Sequence, residues 1–146
     1  MRRIIFSLSM LFVLSGCATQ YQSRGFTGGH TDQQGPGKLY KIVFAGNGFT
    51  SDDIAQKYVL YRSAEIAQSL NKPFFIMYHS LTNAALGQPS NAPSIGIVLN
   101  RPTAIAFILP LDVSRAAAHD TKATLHNLRD VIAKGQLPTS DTAEKQ

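Results

Sequence analysis

The stretch KLYKIVFAGNGFTSDDIAQKYVLYRSAEIAQSLNKPFFIMY, from Lys38 to Tyr78, spells a strand, a turn, a helix and a second strand in succession. Lys38 to Phe44 is rich in β-formers and follows the breaker Gly35-Pro36-Gly37, so it reads as a strand. Ala45-Gly46-Asn47-Gly48 is the turn. Thr50 or Ser51 then caps a helix expected from about Ser51 to Leu70, with Asp52 and Asp53 at the positive end of its dipole. On that helix Ala55, Val59, Ile66 and Leu70 recur at helical spacing, and Leu60 with Ala67 widens the same face. Such a stripe is expected to lie on a sheet. Tyr58, Arg62 and Glu65 sit beside it, three or four residues apart, where their polar ends emerge at the edge of the buried seam. Pro73 ends the pattern, and Phe74 to Tyr78 is an unbroken apolar run suited to a central strand.

Beyond this core, Thr82 to Pro93 is turn chemistry and is expected to be a surface loop. Ser94 to Leu99 and Ala104 to Leu109 are strand candidates joined through Asn100-Arg101-Pro102-Thr103 as a hairpin. From Val113 or Ser114 to about Lys134 a second helix is expected, with Leu125, Leu128, Val131 and Ile132 on its apolar side and Gly135 as its stop. The order β-α-β-β-β-α predicts an α+β fold, a two-layer α/β sandwich on a three- or four-stranded sheet. No internal repeat is visible.

Before the domain lie two segments of different character. Arg2 and Arg3 precede an apolar run of eleven residues, Ile4 to Leu14, and then Leu14-Ser15-Gly16-Cys17. Eleven helical residues span roughly 16 Å against a hydrocarbon core of about 30 Å, so the run reads as an export signal and not as a membrane span. Leucine three before a cysteine, with two small residues between, is the pattern at which exported bacterial precursors are lipidated and cleaved between Gly16 and Cys17. The expected division is therefore 1–16 signal peptide, 17–37 lipidated Cys17 and flexible tether, 38–134 domain and 135–146 disordered tail. The tether assignment rests on the Gly, Gln, Ser and Thr content of 18–37 and its lack of any hydrophobic period.

Composition narrows the function classes. The net charge is +5, and the signal's Arg2 and Arg3 account for two of it, leaving +3 with no block of like charge, so a nucleic-acid partner is not expected. Cys17 is the one cysteine, which excludes an intramolecular disulfide. His30, His79, His119 and His126 show no metal-ligand spacing; the last two, placed on the second helix, are about 10 Å apart along its axis. No metal and no cofactor beyond the covalent lipid is expected. Neither a Gly-x-Ser-x-Gly elbow nor an apolar-flanked carboxylate pair is present in the domain, so no catalytic residue is assigned. Gly46-Asn47-Gly48 before a helix admits two uses, a small anion cradle or a plain turn in which Asn47 bonds the neighbouring backbone.

Several short patterns together resemble a family of small lipoproteins of Gram-negative envelopes that carries no assigned activity. They are Gly28-Gly29-His30-Thr31-Asp32, Phe44-Ala45-Gly46-Asn47, Thr50-Ser51 and Leu60-Tyr61-Arg62-Ser63-Ala64-Glu65, spread over about forty residues. His30 stands where that family has Tyr, and Asn71-Lys72-Pro73 replaces a Gly before the Phe-containing strand. The resemblance implies a palmitate-bearing, outer-membrane protein facing the periplasm, and Ala18 in place of Asp after the cysteine agrees with that sorting. Gly28, Gly29, Asn47, Arg62 and Glu65 become candidate structural or binding residues, with Arg62 or Glu65 tying to Asp32 or the glycine segment. The expected function is an accessory or binding module contacting the membrane through its anchor and another envelope protein or polysaccharide. A small envelope hydrolase, or its inactive relative, and a structural spacer are the alternatives. A polar pocket pairing His79 or Glu65 with a hydroxyl would favour the hydrolase; an exposed apolar patch on the sheet would favour the binding module.

Overall fold

A computed structural model of the chain describes residues 18–136. Cys17, the signal and most of the expected tail lie outside these residues. The elements are β1 (Gly29–Gln34), β2 (Tyr40–Ala45), α1 (Asp52–Ser69), β3 (Phe74–Tyr78), α2 (Leu81–Ala85), β4 (Ser94–Val98), β5 (Arg101–Leu111), β6 (Ala118–Asp120) and α3 (Thr121–Gln136). They form the expected α+β sandwich, but on an antiparallel sheet of six strands where three or four were predicted.

β5 organises the sheet because its eleven residues are long enough to serve three partners. β2 pairs along one side, with Ile42 opposite Ala106 and Phe44 opposite Ala104. Along the other side β4 and β3 follow one another, Ile95 opposite Ala104 and Met77 opposite Ile108. β1 extends the sheet beyond β2, and β6 beyond β3. Since β2 and β3 are both antiparallel to β5, they run parallel to each other, and α1 is the crossover between them.

Period-two alternation on β2, β3 and β5 turns Ile42, Phe44, Phe75, Met77, Ala104, Ala106 and Ile108 to one face, where all are fully buried. Each large member contributes about 1.5–3 kcal/mol by leaving water. α1 covers this face, and α3 packs beside α1 with Ile132 in the same core. Covered by both sheet and helix, α1 buries Tyr58, Ser63 and Ala64 as well as the expected Ala55, Val59, Ile66 and Ala67, whereas Leu70 is 37% exposed. The buried Ser63 hydroxyl donates to the Val59 carbonyl at 2.7 Å.

Local chemistry sets the ends of α1. Ser51 is the N-cap, its hydroxyl accepting from Ile54 N at 3.3 Å. At the other end Asn71 takes φ +56, Asn71 N bonds Gln68 O and Lys72 N bonds Ala67 O, the paired closure of a Schellman motif. Lys72 Nζ then reaches both Asp112 oxygens at 2.8 Å, tying that end to the close of β5.

Five sequence expectations require correction. The tether is not free: Thr19 is 2% exposed, and residues 29–34 form edge strand β1 in register with β2, so the domain begins near Thr19 and not at Lys38. Beyond the buried Gly29 and His30 this edge strand is exposed and is held chiefly by backbone hydrogen bonds, which leave no hydrophobic period to read. The β4–β5 connection is the two-residue turn Leu99-Asn100, both at positive φ, so Arg101 to Thr103 already belong to β5. The 82–93 loop contains the short helix α2, capped by the Ser80 hydroxyl. Ala118–Asp120 is a strand, which places His119 on β6, stacked on Phe75 at 5.0 Å, and α3 begins only at Thr121. Gly135 lies inside α3 instead of ending it: a Cβ there would come within 1.8 Å of the Tyr58 hydroxyl, so the missing side chain makes room for the neighbouring helix.

The opposite face of the sheet is only partly covered. Ile76, Tyr78 and Leu111 gather there with Phe74, Phe107 and Leu109 under Leu39 and Ala84. Among the described residues no helix is long and apolar enough to cross a membrane.

Candidate functional site

Four of the sequence-selected residues meet where the N-terminal segment crosses the edge between β1 and α1. Gly28 and Gly29 start the arrangement, with φ of +110 and +128. A Cβ on Gly28 would lie 2.3 Å from Ala45 O, and one on Gly29 would lie 2.6 Å from Gln22 O. Only glycine tolerates both the angles and the approach. The chain therefore folds back on itself, His30 N bonding Gln22 O at 2.8 Å and Arg24 N bonding His30 O at 2.9 Å.

This return places Tyr21 between the sheet edge and α1. Its ring stacks on His30 at 5.0 Å and meets Tyr58 and Tyr61 edge-on at 5.4 and 5.3 Å, while Phe44 carries the aromatic chain inward through Tyr58 at 4.9 Å. The Tyr21 hydroxyl donates to Glu65 Oε2. Arg62 completes the cluster, its Nε donating to Asp32 Oδ1 at 2.9 Å and its Nη1 to Glu65 Oε2 at 3.0 Å. Of the pairings the sequence admitted, Arg62 makes two, with Glu65 along the helix and with Asp32 across to β1. The part played by Tyr21 was not anticipated; the signal was two large aromatics, Tyr21 and Phe26, in an otherwise polar run.

The electrostatics are those of a closed fastening. Burial, and then the hydrogen bond and negative charge of Glu65, push the Tyr21 phenol far above its ordinary range, so it stays a donor. Burial works against the charge of Arg62, but its bonds to Asp32 and Glu65 outweigh this and hold its pKa above the usual value. His30 is pulled below its ordinary value by burial and by the Arg62 charge. Its Nδ1 lies 3.7 Å from Asp32 Oδ1, inside ion-pair range but beyond hydrogen-bond range, and has no hydrogen-bond partner. Each charged group is spent on another member, which leaves neither an activated nucleophile nor an unsatisfied cation for a ligand.

Asn47 serves a second fastening at the next turn. Its Oδ1 accepts from Phe49 N at 3.0 Å and from the Thr50 hydroxyl at 3.1 Å, and its own N–H donates to Thr50 Oγ1 at 3.2 Å. Thr50 Oγ1 also accepts from Thr19 N at 3.0 Å, and the Thr19 hydroxyl donates to Thr27 O at 2.7 Å. Gly46 N is committed to Pro102 O at 2.8 Å and Thr50 N to Asn47 O at 3.1 Å. With the amides of Gly46, Asn47, Phe49 and Thr50 all directed at protein oxygens, this is a plain turn and the anion-cradle use is withdrawn. All five residues selected in 28–65 thus hold segment 18–34 against the domain.

Two further features lie away from this cluster. The Ser90 hydroxyl is 2.5 Å from His79 Nε2, but both atoms also face the Ala92 carbonyl, at 2.5 and 2.9 Å. Among the described residues no carboxylate pairs with His79, so the group lacks the acid that would orient a catalytic imidazole. No three His, Cys, Asp or Glu residues come together there in a metal-holding group. On the outer sheet face an open groove of about 370 Å³ is lined by the apolar Val43, Ala45, Val98 and Ile105, the polar Thr31, Gln33 and Thr103, and the cations Arg24 and Lys41.

Comparison with protein families, with characterised proteins and with solved structures finds no match for this chain.

Proposed function

We propose that the chain is an exported lipoprotein of the Gram-negative envelope, held by acyl groups on Cys17 at the outer membrane and facing the periplasm. Its α+β domain acts as an accessory module that binds another envelope component. The observation that carries this reading is Leu14-Ser15-Gly16-Cys17 after a short basic and apolar leader. Two or three acyl chains, at about 0.8 kcal/mol per buried methylene, suffice for stable anchoring where one is marginal. The outer-face groove supports the binding role: Thr31 and Gln33 offer hydrogen bonds, Arg24 and Lys41 positive charge, and Val43, Ala45, Val98 and Ile105 apolar contact, a lining suited to a polysaccharide or an extended protein segment.

The Ser90–His79 contact is what favours the hydrolase alternative, and the lack of an orienting acid weighs against it.

Metabolic labelling with an alkyne fatty acid tests the anchor. Label on the wild type, and none on a Cys17→Ser variant that leaves the membrane fraction, is expected; an unlabelled wild type overturns it. A photo-crosslinking residue at Thr31, followed by mass spectrometry, tests the groove. One recurring protein or glycan adduct is expected there and not at a crosslinker on the helical face; equal labelling of both faces overturns the groove assignment.

A further inference from the structure

The end of the sheet at which the chain enters carries apolar side chains that folding leaves in water, Ile97 and Val98 beside the β4–β5 turn and three more in the turns themselves. Phe26 sits in the tight turn between Gly25 and Gly28, whose amides bond each other's carbonyls at 2.9 and 3.3 Å, and its side chain is fully exposed. Phe49, in the turn between β2 and α1, is 66% exposed, and Leu99, in the turn between β4 and β5, is 89% exposed. The pairings Gly29 with Ala45 and Ala45 with Thr103, and the bond from Gly46 N to Pro102 O, bring these three turns to one end.

Leu99 is the most informative of them. At φ +52, followed by Asn100 at φ +58, it occupies a position where Gly or Asn is conformationally favoured, and it gains almost no burial in return. A strained residue that does nothing for the fold points to a use outside it.

The chain's entry point lies at this same end. Thr19 is buried and bonded to Thr27 and Thr50, so Ala18 alone separates it from Cys17. The two backbone steps from Thr19 to Cys17 reach at most about 7 Å. A domain so closely tied to an acylated cysteine cannot stand off from the lipid.

We infer that this end of the domain rests on the bilayer, with Phe26, Phe49 and Leu99 seated at the boundary between headgroups and acyl chains. The inference deepens the anchor reading and rests on it. The partner is a lipid surface, recognised by apolar contact more than by charge, since Arg24, Arg101 and Lys57 stand against Asp52 and Asp53 at this end, a net of only +1, with Lys57 and Asp53 paired at 2.6 Å. Docking fixes the domain's orientation and sets its sheet strands steeply to the membrane, with the groove facing sideways.

The chain has no tryptophan, so a single introduced indole reports without background. The full-length exported protein, its lipid verified by intact mass, would carry Phe26→Trp, Phe49→Trp or Val113→Trp; Val113 follows β5 at the opposite end and is 62% exposed. Each variant is reconstituted into vesicles of phosphatidylethanolamine and phosphatidylglycerol bearing bromine on the acyl chains. Quenching several-fold stronger at positions 26 and 49 than at 113, and persisting in high salt, is expected. A lipidated protein with equal or negligible quenching at all three overturns the docking and leaves the anchor standing. A wild-type chain with no lipid on Cys17 overturns the anchor and the docking together.

Discussion

Arg62 on α1 donates to Asp32 on the edge strand β1 at 2.9 Å, joining two residues thirty positions apart in the chain. Both side chains keep less than a third of their surface in water, and Arg62 simultaneously satisfies Glu65. The pair is thus neither a screened surface contact nor a dry one, and removing the cation leaves Asp32 and Glu65 without it, Glu65 keeping only the Tyr21 hydroxyl as donor.

Arg62→Ala is expected to lower stability by about 1–3 kcal/mol, read from urea denaturation, because charged hydrogen bonds are lost and the two acids are left without their cation. Arg62→Lys should recover only part of this, since one ammonium cannot reproduce the fork that serves Asp32 and Glu65. A loss below a few tenths of a kcal/mol would show that the cluster does not hold the segment.

Gly28→Ala should be costlier than Gly37→Ala, although both positions have positive φ. Gly37 faces open space, so a methyl there brings only the left-handed penalty of about 1–2 kcal/mol. At Gly28 the added carbon meets Ala45 O at 2.3 Å, so residues 18–30 must move. Faster hydrogen exchange across β1 in Gly28→Ala, with β3 unchanged, is the expected signature.

His30 sets a pH dependence. Its folded-state pKa lies below the ordinary value of about 6.5, so the unfolded chain binds a proton more readily. Stability is therefore full above the unfolded value and falls as pH drops through about 6.5 toward the folded value; the half-buried His119, shifted the same way, adds to the slope. His30→Phe keeps the stack on Tyr21 and removes a buried nitrogen with no hydrogen-bond partner. It should be neutral or stabilising at pH 7 and should flatten the decline between pH 7 and pH 5.5, measured by thermal denaturation at each pH.

Gly135→Ala offers a case in which helix propensity and packing disagree. Propensity alone favours the change by about 1 kcal/mol, but the new methyl would overlap the Tyr58 hydroxyl at 1.8 Å, so a net loss is expected. Tyr58→Phe removes the clashing oxygen, and a double-mutant cycle should show the two substitutions coupling favourably by at least about 0.5 kcal/mol.

Leu99→Asn combined with Asn100→Gly installs the favoured pair for a turn with two positive φ values. A gain of up to about 1 kcal/mol in stability is expected, with weaker quenching of a tryptophan at position 49 by bromine on the acyl chains. A protein made less stable by this exchange would remove the strain on which the docking end depends.

How much of this was legible beforehand depended on what each residue contacts. Strand β2, helix α1 and strand β3 could be read almost to the residue, because Ile42 and Phe44, Ala55 and Val59, and Phe74 to Tyr78 each bury a periodic face, and Ser51 and Pro73 bound the helix through local chemistry. Arg62 and Glu65 were recognisable as a helical pair at the seam. Tyr21, His30 and the strand Gly29–Gln34 were not, since their partners lie in other elements and their own stretch has no period. His119 was misplaced onto a helix because a three-residue strand is too short to show an alternation.

By itself the chain's order of residues determined the α+β class, the central strand-helix-strand unit and the single cysteine that no intramolecular disulfide can use. Those are properties of neighbours: periodicity, caps, turn residues and counts act over a few positions and need no fold to be expressed. Only the tertiary structure decided that segment 18–34 is bolted down instead of hanging free, that Gly135 makes room for Tyr58, and that Phe26, Phe49 and Leu99 share one end. Those depend on contacts between residues far apart in the chain, where close approach and burial exist only once the sheet has closed around β5.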